Sequence, residues 1–139
     1  MAHSIVVGVD GSRASEDALA TAIRLAGREG GSIHACYVAR VVSPVPAGGF
    51  IMPLVPVEDD TGAEMDRIRD LVVAALGRAR VVGDFTCRSG EAAVELEGLA
   101  MAHEADLLVV GRSVHPHLHL GNVPGRLIAM GRRPVLVVP

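Results

Sequence analysis

Ile5-Val6-Val7-Gly8-Val9-Asp10-Gly11-Ser12 is the stretch on which the fold turns. Its β-branched residues follow one another without polar alternation, the mark of a strand buried on both faces. Asp10-Gly11-Ser12 punctuates the run, and Ser12 is placed to cap a helix. Beyond it, Ala18, Leu19, Ala22, Ile23, Leu25 and Ala26 recur on one side at helical spacing, with Asp17, Thr21, Arg24 and Arg28 on the other. Gly30-Gly31 closes that helix.

The same alternation continues along the chain. Ile33 to Val38 reads as a second strand. Thr61-Gly62-Ala63-Glu64 has capping-box spacing, and Met65, Ile68, Val72, Ala75, Leu76 and Ala79 form a second helical stripe. Val81 to Arg88 is expected as a third strand, although Gly83 and Asp84 interrupt it. Ala92 to His103 reads as a third helix, with Glu91, Glu95 and Glu97 in its first turn and on its wet face. Leu107-Leu108-Val109-Val110 is a fourth strand ending at Gly111, Arg112 to Leu120 a loop, Asn122 to Gly131 a short last helix and Pro134 to Val138 a final strand.

Strands alternating with helices, carrying continuous apolar runs, predict an α/β domain over residues 1–139 with a mostly parallel sheet covered on both faces. Crossovers in such sheets are right-handed, and ligands settle outside the carboxyl ends of strands where strand order reverses. Two places answer that description: Asp10-Gly11 after the first strand, and Gly111 onward after the fourth.

Composition narrows the chemistry. Of 139 residues 50% are hydrophobic, yet only Tyr37, Phe50 and Phe85 are aromatic, so the core is aliphatic. A net charge of -3 gives no broad basic field for nucleic acid or an anionic membrane. Every basic side chain apart from histidine is arginine, which excludes a Schiff-base lysine and the lysine of a P-loop. Cys36 and Cys87 lie in apolar-rich runs and are expected as reduced, buried thiols rather than a disulfide. No signal sequence or membrane-length apolar run is visible, so a cytoplasmic protein is expected.

Three features together resemble the universal stress protein family. Ile5 to Ser12 opens the chain as that family opens. Ala105-Asp106-Leu107-Leu108-Val109-Val110-Gly111 is similar to its fourth strand. Gly121-Asn122-Val123 and Arg133-Pro134-Val135-Leu136-Val137-Val138 resemble its ending. The resemblance implies an open, three-layer, five-stranded parallel sheet of order 3-2-1-4-5 with helices on both faces. It also implies a homodimer joined through the strand at residues 134–138, antiparallel to its copy.

Many members of that family bind ATP through a motif, G-x-x-G, nine residues, then Gly-Ser or Gly-Thr. Here Gly111 fits the first position and Gly121 the third, but Val114 replaces the second glycine and Asn122 the hydroxyl residue. Only His115 to Leu120 separate Val114 from Gly121. A β-branched residue resists the positive φ that lets a backbone approach phosphate, and Pro124 removes an amide from the last helix. Asn122 can still cap that helix, whose N-terminus suits an anion, and Arg112 and Arg126 can add charge.

The resemblance therefore implies an adenine nucleotide (ATP, ADP or AMP) bound without turnover, with no metal beyond a magnesium ion accompanying it. The residues it implicates are Asp10, Gly11, Val38, Val110, Gly111, Arg112, Gly121, Asn122 and Val123. Asp10 would meet a ribose hydroxyl, or otherwise form an Asx-turn with Gly11 and Ser12. Val38 would meet adenine through its backbone, or otherwise simply fill core. The alternative is a homodimeric interaction module without nucleotide, working through the apolar loop from Val41 to Val57 and the histidine loop. That second loop, with His115, His117 and His119 alternating, is also a minor candidate for metal. Hydrolysis finds no support: Ser12, Ser89 and Ser113 lie in no G-x-S-x-G elbow.

Overall fold

The computed structural model describes residues 3–39, 61–112 and 122–139. The elements run β1 (Ser4–Gly8), α1 (Arg13–Glu29), β2 (Ser32–Ala39), α2 (Thr61–Ala79), β3 (Val82–Ser89), α3 (Ala92–Ala102), β4 (Leu107–Gly111), α4 (Val123–Met130) and β5 (Val135–Val138). All five strands are parallel, in the order β3-β2-β1-β4-β5. Because β2 and β3 step outward on one side of β1 while β4 and β5 step outward on the other, right-handed crossovers send α1 and α2 to one face and α3 and α4 to the other.

The core divides accordingly. Ile5, Val7, Ile33 and Val109 point to one face, where Leu19, Ile23, Ile68, Val72 and Leu76 of α1 and α2 cover them. Val6, Cys36, Leu108 and Val110 point to the other, beneath Leu96 and Leu99 of α3 and Leu127 of α4. Each Val, Leu or Ile fully withdrawn from water contributes about 1.5–3 kcal/mol, so this two-sided aliphatic burial supports the fold with almost no aromatic rings.

Local chemistry ends α1 and α4 where the sequence places its signals. Ser12 caps α1, its Oγ accepting the Ser15 amide, and Gly30 closes the helix at φ 68°. Asn122 caps α4, and Gly131 closes it at φ 60°. The capping role expected of the Thr61 side chain lies outside the described residues. Gly83 does not break β3: a Cβ there would stand 2.6 Å from the Ile33 carbonyl oxygen, so the glycine allows close strand approach.

Two expectations need correction. Glu97 is not on the wet face of its helix; it is only 3% exposed. Arg133, just before β5, reaches it with both Nε at 2.8 Å and Nη2 at 2.6 Å from Oε1. A buried carboxylate is tolerated when such a partner meets it, and helical spacing alone cannot announce a partner 36 residues away. The thiols also differ: Cys36 is buried but Cys87 is exposed. Cys36 registers with Thr86 and Tyr37 with Cys87, so the two sulfurs lie on opposite faces of the sheet and remain free.

Candidate functional site

Strand order reverses between β1 and β4, and the polypeptide leaving their carboxyl ends brings three of the predicted residues together. The joint is Ser15, in the first turn of α1 and 4% exposed. Its Oγ accepts from the Asp10 amide at 3.2 Å and donates to the Ser12 carbonyl at 2.9 Å. From the other side Gly111 presses on the same turn: a Cβ there would stand 2.5 Å from the Ala14 carbonyl carbon and 2.7 Å from the Ser15 nitrogen. Gly111 is thus required for strand-to-helix contact, whatever else it does.

Asp10 forms an Asx-turn. Its Oδ1 accepts the Ser12 amide at 2.9 Å, while the carboxylate remains exposed. Partial burial works against the charge, but hydrogen bonds from the Ser12 side chain and amide, from Ser15 and from its own amide outweigh it and hold the carboxyl below its usual range. Gly11 follows at φ 82°, a conformation that a side chain would strain.

Val38 and Val110 reach the same edge, but their side chains pack in the α3-face core, so backbone is what they offer a ligand. Arg112 is exposed, its amide donating to the Val138 carbonyl at 2.7 Å. At α4, Asn122 Oδ1 accepts the Gly125 amide at 3.0 Å, and its carbonyl takes the Arg126 amide. Pro124 has no amide to give. Val123 is left with the one first-turn amide that has no partner among the described residues. Arg126 is engaged elsewhere, in an ion pair with Glu91 at the cap of α3. Gly121, Val114, the histidines at 115, 117 and 119 and the apolar segment 41–57 lie outside the described residues.

Sequence reasoning missed Ser15 and Arg67. Ser15 was hidden because a serine in a helical first turn usually faces water. Arg67 sits on the polar side of α2, yet its Nη2 would stand 3.0 Å from a Cβ on Gly11. No local pattern predicts that contact, because only the packing of α2 on the sheet brings residues so far apart in the chain together. Among the described residues no group of three or more His, Cys, Asp or Glu side chains could hold a metal. No described helix is long and apolar enough to cross a membrane.

The order β3-β2-β1-β4-β5, with a glycine turn at each strand of the reversal, coincides with a match of residues 1–139 to the model of the universal stress protein family. The chain belongs to the universal stress protein family. No curated protein matches it in sequence. Among solved structures it is similar to a universal stress protein family member from Burkholderia pseudomallei, with 27% identity, a TM-score of 0.75 and coverage of 98% of this chain and 95% of that one. A universal stress protein in complex with cAMP shares 22% identity at a TM-score of 0.73, covering 99% of this chain and 97% of its own. One from Archaeoglobus fulgidus in complex with dAMP shares 20% identity at a TM-score of 0.72, covering 99% and 98%. At these identities the last two establish a shared universal stress protein fold.

Proposed function

We propose that this stress-protein domain is a cytoplasmic regulatory module that binds an adenine nucleotide at the β1/β4 edge without turning it over. Asp10, Gly11, Val38, Val110, Gly111, Arg112, Gly121, Asn122 and Val123 form its site. The observation that carries the reading is the Asp10 carboxylate, an exposed group held in its charged form at the topological switch. A charged acceptor there suits a ribose hydroxyl, and similar folds have been solved with cAMP and dAMP. Binding would stabilise one conformation or partner surface and so report nucleotide level. Free thiols at Cys36 and Cys87 suit a reducing compartment.

Thermal melting of metal-free protein with millimolar ATP, ADP and AMP, each with and without magnesium, tests the reading. A ligand of the native state raises the midpoint by mass action. Asp10→Asn keeps an acceptor for the Ser12 amide and removes the charge, so it should retain the fold and lose most of the shift. If no nucleotide moves the midpoint, the proposal fails.

One observation favours a second reading. With Pro124 present and Gly125 satisfied by Asn122, the α4 end offers a phosphate a single amide. A homodimer joined along β5, an edge strand with Val137 37% exposed, is then the working unit without nucleotide. Light scattering of the wild type and of Val137→Lys decides it: a dimer that becomes monomeric supports β5 pairing, and a wild-type monomer removes it.

A further inference from the structure

Away from the β1/β4 carboxyl edge, the imidazoles of His34 and His103 lie one on the other, with centroids 3.7 Å apart and planes 15° from parallel. His34 stands near the start of β2, in register with Val6 and so on the face that α3 covers, and its side chain is 15% exposed. Its Nδ1 meets Asp84 Oδ1 of β3 at 3.0 Å. A carboxylate only accepts, so that nitrogen carries the proton and the ring is held from the sheet side. His103 is the C-cap of α3 and is exposed, its amide donating to the Leu99 carbonyl at 3.0 Å. The stack thus joins the last turn of α3 to the strand beneath it.

Imidazole is the side chain whose charge changes between about pH 5 and 8. One imidazolium in the stack is well met: Asp84 pairs with it, and the neutral ring beside it offers a π face. Two are not, because like charges then face each other across 3.7 Å in a part-buried place that water screens poorly. The surroundings do not cancel the second charge. β1 presents Ser4 and Val6 on this face, and β2 itself the uncharged thiol of Cys36. Among the described residues Asp84 is the carboxylate in contact with the stack. From α3, Glu95 is paired with Arg88 and Glu97 with Arg133, while Glu104 beyond the helix is exposed to water. Arg133 adds a cation at the same helix end, donating to the carbonyls of Ala100 and Ala105. His3 is engaged with Glu29 and Asp106.

We propose that His34 and His103 form an acid-sensitive latch, which holds the last turn of α3 on β2 while at most one ring is charged and releases it when both are. His103 is the ring that leaves, because it is exposed, whereas His34 stays with Asp84 on the sheet. Arg133 pins the carbonyls of Ala100 and Ala105, so the loosening is confined to the turn between them. The amides freed are those of His103 and Glu104, which donate to the Leu99 and Met101 carbonyls. The amino end of α3 is tied down separately by the pairs Glu91–Arg126 and Glu95–Arg88. The latch works at the opposite edge of the sheet from the candidate nucleotide site and does not depend on a ligand there.

Nuclear magnetic resonance of the full chain at about pH 7.5 and about pH 5 tests the latch, a range that spans imidazole charging and leaves ordinary carboxylates ionised. In wild type the nuclear Overhauser contact between the two rings should be present at the higher pH and absent at the lower. Amide protection factors at His103 and Glu104, corrected for the intrinsic pH dependence of exchange, should fall by about tenfold or more, while those at Ala105 and Glu95 hold. His103→Phe keeps an aromatic face over His34 and takes no charge, so its protection at Glu104 should be the same at both values. His34→Gln keeps a donor for Asp84 and removes the other charge, and it should be equally unresponsive. His103 is exposed, so the phenylalanine variant retains the fold even if the glutamine variant does not. The proposal is overturned if the ring contact and protection in wild type are the same at both pH values. It is overturned equally if His103→Phe loses protection as wild type does, or if all amides lose it together in a general acid unfolding.

Discussion

Gly111 at the end of β4 and Ala14 in the first turn of α1 are in backbone contact, a Cβ on Gly111 being only 2.5 Å from the Ala14 carbonyl carbon. Neither atom belongs to a flexible side-chain tip, so added bulk must displace strand or helix. Gly111→Ala should cost about 1–3 kcal/mol, the usual penalty for forced overpacking. Urea denaturation measures it, and an unchanged midpoint would show that the strand end and helix are not rigidly joined.

Ser15 should be a positioning residue for Asp10. Ser15→Ala leaves the Asp10 amide without its acceptor and should cost about 1–3 kcal/mol. Amide exchange gives a specific signature: Asp10 should lose protection, while Val9, whose amide donates to the Cys36 carbonyl at 2.9 Å, should keep its own. Equal acceleration at both amides would mean general loosening instead.

Cys36 should make stability fall in alkali. Burial pushes its thiol up from 9.0 to about 11, opposed by the positive charge of Arg88. A raised folded-state value means the unfolded chain loses its proton first, so this stability is full below about pH 9 and disappears as pH rises through about 11, a change of about 2–3 kcal/mol. Cys36→Ala should therefore be less stable than wild type at pH 7, with the gap closing towards pH 11. The sequence has no lysine to obscure the comparison. A constant gap across guanidinium titrations at several pH values would refute the claim.

Arg133 should carry a large share of the α3–β5 junction. Besides Glu97 it donates through Nη1 to the Ala105 carbonyl at 2.8 Å and to that of Ala100 at 3.4 Å. Arg133→Ala leaves a buried carboxylate unpaired and should cost about 3–5 kcal/mol, whereas Glu97→Leu with Arg133→Met should recover most of it. Denaturation of the two single variants and the double provides the check; additive losses would sink the pairing argument.

Much of this fold is written locally. The β-branched run at Ile5–Val9 cannot lie half in water, and the α1 stripe at Ala18, Leu19, Ala22, Ile23 and Ala26 is buried as its spacing predicts. Ser12, Gly30, Asn122 and Gly131 act within a turn of their own positions, so their roles follow from residue type. Asp10 and Gly111 were legible as neighbours because a parallel sheet places ligand-facing turns at carboxyl ends.

The sequence by itself determined the alternation of elements, the helix ends and the aliphatic two-faced core, because those depend on periodicity and on backbone preferences of single residues. Only the tertiary structure decided that Glu97 is inside, that Cys87 is outside while Cys36 is not, that Ser15 joins Asp10 to Gly111, and that Arg67 lies on Gly11. Each of these depends on which element lands beside which. A parallel sheet brings together residues far apart in the chain, and no local pattern carries that information.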